Sequence, residues 1–342
     1  MPATRDKYAD ISNIWGLARL TQRCAPMLDT ALHLTQQQAS SKLEVAIGIS
    51  SHPDPDIAIG EAAGSAGHRL GAAAPDFAMV VTAGSPARDA VASLREVLGH
   101  ISVAGGSATA LLTDHGPLRE GALVVCVSNA DGAASGVVAT AGRDLRDAGQ
   151  AAARLVLAGW PFRARYPRGL AFAFARPVGA DAAQTFLASW RDFMGPKMRT
   201  VCTTLDGPAV YGRGAASPLA SVACVEAPYA SGIGYTDAAP ADGVEPSPET
   251  LVHGAADAML TAVKRLDGRP ARLVLVIEGA ERHRKLGPAF AEEWAAMRGV
   301  LEERTPCVGW LGGHVAAYGR GVQPTDAPGA LVAVALGDAP KA

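Results

Sequence analysis

"VGWLGGHVAAYGRG", residues 308–321, runs an apolar stretch into a double glycine and a histidine. Paired glycines let a backbone turn sharply or approach a neighbour closely. What surrounds them decides the fold. Upstream, "ARLVLVIEG" (271–279) is an unbroken apolar run with β-branched residues, which predicts a buried strand. "GPAFAEEWAAMRGVLEE" (287–303) sets Phe290, Trp294, Met297 and Leu301 at helical steps, an amphipathic helix. After Pro306 come a short strand "CVGWL", a turn at Gly312-Gly313 and a last strand "GALVAVAL" (329–336).

The first half of the chain reads the same way. "DFAMVVTAG" (76–84) predicts a strand and "SPARDAVASLREVLG" (85–99) a helix through Val91, Leu94 and Leu98. "HISVAGGSATALL" (100–112) follows with its own double glycine, then the strand "GALVVCV" (121–127). Each unit is preceded by a helical pattern, "DIAIGEAAGSAGHRLGAA" in one and "ETLVHGAADAMLTAVKRL" in the other. A degraded further copy lies between them: the strand "RGLAFAFA" (168–175), the helix "AAQTFLASWRDFMG" (182–195), and "RTVCTTLDG" with "LASVACVEA" as paired strands. The polar, Pro-rich "TDAAPADGVEPSPET" (236–250) marks a linker or surface loop. Alternating strands and helices with an antiparallel return predict a mixed α/β (α+β) fold, in which duplicated modules carry mixed sheets covered by helices on the outside. The divisions expected are a helical extension at 1–40, one module over 41–240 and another over 241–342. The seam between such modules is a natural place for a pocket.

Composition narrows the function. Of the 342 residues 49% are hydrophobic, enough for a sizeable core. The formal net charge of −2 and the lack of a basic stripe argue against nucleic acid or anionic membrane as the main partner. No apolar run reaches the ~20 residues a membrane-spanning helix needs, and the N-terminus shows no secretory signal pattern. Cys24, Cys126, Cys202, Cys224 and Cys307 are scattered, without a C-x-x-C, as in a reduced cytoplasmic protein. Ala richness and an excess of Arg over Lys point to a GC-rich bacterial genome.

The order of elements and the residues around the double glycines resemble the FIST sensory family, its N-terminal module over roughly 44–235 and its C-terminal module over roughly 250–337. In "GAERHRKLG" (279–287), Arg282, Leu286 and Gly287 match the family's motif, with Gly279 where it usually has cysteine. Glu292 or Glu293 matches a helical glutamate. Gly309, Trp310, Leu311, Gly312, Gly313 and His314 align with a Gly-aromatic-x-Thr-Gly-Glu-like stretch, so His314 stands where glutamate is common. The resemblance implies a cytoplasmic, non-catalytic sensor that binds a small ligand, an amino acid or other carboxylate, and signals to a separate partner protein. Some members resemble haem-binding nitric oxide sensors.

On that reading Arg282, just beyond a strand end, clamps a carboxylate, beside Trp310, Gly312, Gly313 and His314. Gly105, Gly106 and Ser107 form the N-terminal counterpart of this ligand site. His314 is also the candidate axial ligand to haem iron, and in a third reading it is the acid/base group of an enzyme on the same scaffold. Against each stands a plainer alternative: a tight turn at the glycines and a solvated loop of charges at 282–285. Ser65 in "AGSAG" lies within a helical pattern and so does not make a nucleophile elbow. "SGIGYTD" (231–237) lacks the spacing of a dinucleotide site. His68 and His253 occupy matching places in the repeat helices and read as packing residues. "WPFRARYPRG" (160–169) is a candidate lid or partner surface.

Overall fold

The computed structural model describes residues 43–342 apart from 129–131, 140–143, 160–168, 178–181, 196–197, 206–208, 213–217, 227–228, 239–243, 320–321, 328 and 339–342. The expected extension at 1–40, Cys24, and all but the last residue of 160–169 fall outside the described residues.

Three units follow one another, and all three have one topology. The first holds β1 (Glu44–Ser50), α1 (Pro55–Leu70), β2 (Phe77–Ala83), α2 (Ala90–Leu98), β3 (Ser102–Ala108), a hairpin of β4 (Ala110–Thr113) and β5 (Gly116–Leu118), and β6 (Gly121–Ser128). The second holds β7 (Gly132–Ala139), α3 (Leu145–Gly159), β8 (Leu170–Ala175), α4 (Ala182–Met194), β9 (Arg199–Thr204), the short β10 (Val210–Tyr211) and β11 (Pro218–Glu226). The third holds β12 (Ala230–Thr236), α5 (Pro248–Lys264), β13 (Ala271–Gly279), α6 (Ala280–Leu286), α7 (Phe290–Gly299), β14 (Cys307–Gly312), a hairpin of β15 (Val315–Gly319) and β16 (Val322–Ala327), and β17 (Leu331–Gly337). The mixed α/β class is as the sequence predicts. The middle copy is complete, and the Pro-rich stretch at 236–250 lies inside the third unit, between β12 and α5.

Each unit builds a four-stranded sheet ordered first, last, second, third: β1-β6-β2-β3, β7-β11-β8-β9 and β12-β17-β13-β14. The second and third strands are parallel, and the last runs antiparallel between the first and second. The segment after the third strand then leaves its own sheet. Hairpin β4-β5 extends the third unit's sheet, β10 the first unit's and β15-β16 the second unit's, so each unit adds strands to another in a closed cycle.

The strand alternation explains the core. Phe77, Met79 and Val81 from the first sheet, Phe172, Phe174 and Val201 from the second, and Leu275, Ile277 and Trp310 from the third share one central cluster. The opposite face of each sheet packs under its own helices, as Ala78 and Val80 do against Ile59 and Leu94, Ala173 against Phe186 and Trp190, and Val276 against Met259 and Met297. Strands covered on both faces have few polar positions, which is why they read as continuous apolar runs.

Caps repeat as well. Asp54 before Pro55 accepts from the N–H groups of Asp56 and Ile57, and Ser247 before Pro248 accepts from that of Thr250. Helix and strand touch most closely at Gly48 and Gly234, where an added Cβ would overlap the carbonyls of Ala62 and Ala258 respectively. Gly136 of β7 stands at the matching register, one residue on from the partner of Ala223.

The crossings between units are pinned by hydroxyls. Ser107 Oγ accepts from Ala209 N–H at 3.0 Å. Thr204 Oγ1 accepts from His314 N–H at 2.7 Å, while the Thr204 N–H donates to the His314 carbonyl at 2.8 Å. In the third unit the matching residue is Leu311, whose carbonyl alone accepts from Thr109 N–H at 3.1 Å. Thr204→Val leaves a partly buried N–H without its acceptor, and urea unfolding should show a loss of about 1–3 kcal/mol. Thr204→Ser should keep most of that stability.

Candidate functional site

In "ARLVLVIEG" the apolar run of β13 ends on a carboxylate, Glu278. The strand alternation that sends Ile277 inward sends Glu278 outward, beneath α6 and α7, and it is 0% exposed. Neither of its carboxyl oxygens has a hydrogen-bond partner. Arg282 on the first turn of α6 and Glu293 on α7 are also 0% exposed. Arg282 Nε donates to Glu293 Oε1 at 2.8 Å, and Nη2 lies 2.8 Å from the same oxygen. Nη2 also donates to the Leu251 carbonyl of α5 at 2.5 Å. Arg282 Nη1 and Glu293 Oε2 are left without partners. His283 completes the group: its side chain is 22% exposed, its Nδ1 lies 4.0 Å from Glu278 Oε1, and its ring meets the Phe290 ring edge-on at 4.7 Å.

Two buried carboxyls share one buried guanidinium. Burial raises the Glu278 pKa well above 4.5, the negative Glu293 raises it further, and Arg282 pulls it back only in part. Burial also raises Glu293, against the opposing pull of Arg282. Burial lowers His283 below 6.5, and the positive Arg119 adds to this. Burial thus favours the protonated form of Glu278 beside the neutral form of the imidazole.

These shifts have opposite consequences for stability. The Glu278 contribution is complete below about pH 4.3, the unfolded carboxyl value, and is lost as pH rises from there towards its folded pKa, by up to about 1.4 kcal/mol per pH unit. The His283 contribution is present above the unfolded imidazole value and is lost as pH falls towards the lower folded one. Glu278→Gln removes only the first effect. Its urea-unfolding stability should therefore fall less than the parent's between about pH 4.3 and neutrality.

The other two units show that this position is special. Register places Thr82, Ala175 and Glu278 at one equivalent site, opposite Ala122, Ala220 and Leu331. In the first unit Tyr211, from the strand crossing in, bonds to Thr82 Oγ1 at 2.6 Å. Leu112 and Ala316 hold the place of Tyr211 in the other two units, opposite Gly309 and Cys202 as Tyr211 is opposite Gly105. The second unit is apolar on both sides of the contact. The third sets a carboxyl against leucine.

The residues singled out in the sequence do not gather at one place. Arg282 belongs to the buried cluster and presents no guanidinium to solvent. Trp310 faces the central core, 1% exposed, 5.6 Å from the Phe174 ring, with no partner for its Nε1. Gly312 ends β14, where an added Cβ would overlap Thr203 Oγ1. Gly313 N–H donates to the Thr204 carbonyl at 2.8 Å, and the His314 backbone is held by Thr204 as described. Gly105, Gly106 and Ser107 sit in mid-strand at a different crossing, against Leu205 and Ala209.

The double glycines are thus strand and crossing residues, not paired hairpin turns. Nor do they match: Gly105 opposite Val80 corresponds to Gly309 opposite Val276, and Gly312 opposite Gly279 corresponds to Ala108 opposite Ala83. A flat macrocycle against Gly312 would need the space of Thr203 and Thr204, so these residues do not fit haem. Among the described residues no three His, Cys, Asp or Glu side chains group as metal ligands.

Glu293, not the exposed Glu292, is the helical glutamate of the cluster. Glu278 is not among the residues that the sequence motifs single out, though an acid closing an apolar strand is a readable signal. His68 and His253 are exposed, not packing residues. Cys126, Cys202, Cys224 and Cys307 are buried. No helix among the described residues is long and apolar enough to cross a membrane.

No family model matches the chain, and no curated protein matches it in sequence. Among solved structures it is similar to a cyanuric acid hydrolase from A. caulinodans, with 12% identity over 86% of this chain and 98% of that one and a TM-score of 0.47. A second cyanuric acid hydrolase structure gives 10% identity, 86% and 99% coverage and a TM-score of 0.44. Phosphoribosylformylglycinamidine synthase II from Thermotoga maritima gives 9% identity, 88% and 73% coverage and a TM-score of 0.27. Likeness at this level says nothing of what this chain acts on. The expectation of a non-catalytic sensor is corrected on the geometry: the residues meant to hold its ligand lie packed at separate sites.

Proposed function

We propose that the chain is an enzyme whose proton-transfer pair is Glu278 and His283. The observation that supports this most is Glu278 itself, a fully buried carboxyl with no partner for either oxygen. A polar group in that state costs stability unless something else uses it, and strongly perturbed acids concentrate at functional sites. In the proton-bearing form Glu278 is a general acid: it gives its proton to a basic atom of the substrate and becomes a carboxylate. The Arg282 charge stabilises that carboxylate. His283, 4.0 Å away and in part exposed, carries a proton back from solvent. The chemistry is thereby placed at Glu278 and His283 instead of His314. Scattered, buried cysteines without a C-x-x-C support a cytoplasmic location.

The test is turnover by the purified chain in amide and ester hydrolysis, read by acid release, and in α-proton exchange in heavy water, read by NMR. Glu278→Gln and His283→Ala should each lower the rate of whichever reaction proceeds by about 100-fold or more, while Thr82→Val at the equivalent position should not. Absence of all three activities, or full activity in Glu278→Gln, contradicts the reading.

A further inference from the structure

We propose that the site at Glu278 binds a small uncharged molecule that presents an N–H donor beside a carbonyl acceptor, of the carboxamide or urea class. This rests on the reading of Glu278 as the acid of the site. Buried atoms left without partners here are both Glu278 oxygens, Glu293 Oε2, Arg282 Nη1 and His283 Nδ1, a larger group than at any other place among the described residues. They belong to four neighbouring side chains of a single cluster. Native proteins leave few such atoms unpaired, so a concentration of them marks a place where something else completes the bonding.

Their chemistry selects the guest. Glu293 Oε2 only accepts, so it calls for an N–H. Arg282 Nη1 only donates, so it calls for a carbonyl or similar oxygen. A protonated Glu278 donates through one oxygen and accepts through the other, the complement of an amide edge. Charge excludes the ionic alternatives. Arg282 and Glu293 neutralise each other at 2.8 Å, and the remaining carboxyl has no second cation within the buried group. A carboxylate guest would put a second anion beside Glu293. A cationic guest would require Glu278 to stay ionised throughout the resting complex, and not only in passing during proton transfer, and either arrangement leaves standing buried charge that is costly to hold. The approach is from the side of His283, which is 22% exposed where the other three are closed to solvent.

Acetamide, acetate and acetamidinium have nearly one shape and three charges, and they provide the probes. Each is titrated into the full chain at neutral pH while NMR follows the backbone amides of residues 278–283 and the His283 ring. Acetamide should give a saturable shift at these signals, with an affinity at least about tenfold above either ion. Glu278→Leu, matching the apolar surroundings, should abolish that shift while leaving the remaining spectrum folded. No saturable shift with acetamide, as when ordered water alone fills the group, overturns the proposal. So does binding of acetate or acetamidinium with equal or greater affinity, or a shift that survives in Glu278→Leu. The outcome is separable from the enzymatic reading: acetamide binding with no turnover refutes catalysis alone, and turnover dependent on Glu278 with preferred binding of an ion refutes the neutral guest alone.

Discussion

Arg282→Met should lower the unfolding free energy by about 3–5 kcal/mol, the largest loss expected from any single side-chain removal in the third unit. The guanidinium is 0% exposed, donates through Nε to Glu293 Oε1, holds Nη2 in ion-pair contact with the same oxygen, and donates to the Leu251 carbonyl. Without it, two carboxyls remain buried with no cation, and the Leu251 carbonyl at the start of α5 loses its donor. Both acids must then bind protons, so the variant should be most nearly stable in acid and weaken steeply towards neutrality. Urea unfolding at the two pH values separates this from simple loss of packing, which would be the same at both. Adding Glu293→Leu to Arg282→Met should recover most of the loss, because an apolar pair of similar volume needs no charge balance. A single Arg282→Met chain as stable as the parent at neutral pH would show that the pair does not hold α6 and α7 to α5.

Gly234→Val should cost about 3 kcal/mol or prevent folding. An added Cβ would overlap the Ala258 carbonyl of α5, a backbone group that cannot rotate aside. The same contact recurs at Gly48 against Ala62, so Gly48→Val should be comparably severe in the first unit. Gly64 offers the control. It lies in mid-helix with open space where a Cβ would stand, and Gly64→Ala should raise stability by about 1 kcal/mol through helix propensity alone. Thermal unfolding of the three variants distinguishes close helix–strand approach from a general intolerance of glycine replacement.

Much of this fold is legible in the sequence because each unit keeps the same local instructions. Capping pairs Asp54-Pro55 and Ser247-Pro248 announce helices, and runs such as "FAMVVTA" and "LVLVI" announce strands buried on both faces. The middle unit is harder to read. Its third strand, "RTVCTT", has no glycine where the others have Gly105 and Gly309, and its crossing strand β10 is only two residues long. Register was the chief casualty: aligning one double glycine on the other shifts the third strand by three residues, because close approach to the neighbouring strand, not a turn, is what fixes Gly105 and Gly309. The exchange of strands among units leaves no local trace, since a strand that joins a distant sheet needs the same residues as one that joins its own.

The site was half visible. Arg282 stood out as a basic residue after a strand, yet its charge is spent inside the protein on Glu293. Glu278 was the more informative letter: a strand otherwise made for burial ends on a carboxyl, and only the fold reveals that Leu112 stands where Tyr211 satisfies the equivalent position.

The account depends on Glu278 keeping its proton well above the range in which exposed glutamates ionise. A carbon-13 NMR titration of the glutamate side-chain carboxyls, with Glu278 assigned by comparison with Glu278→Gln, measures this directly. The Glu278 signal should stay in its protonated position through the range near 4.5 where ordinary glutamates ionise and move only well above it. A Glu278 signal that titrates with the exposed glutamates would contradict the account.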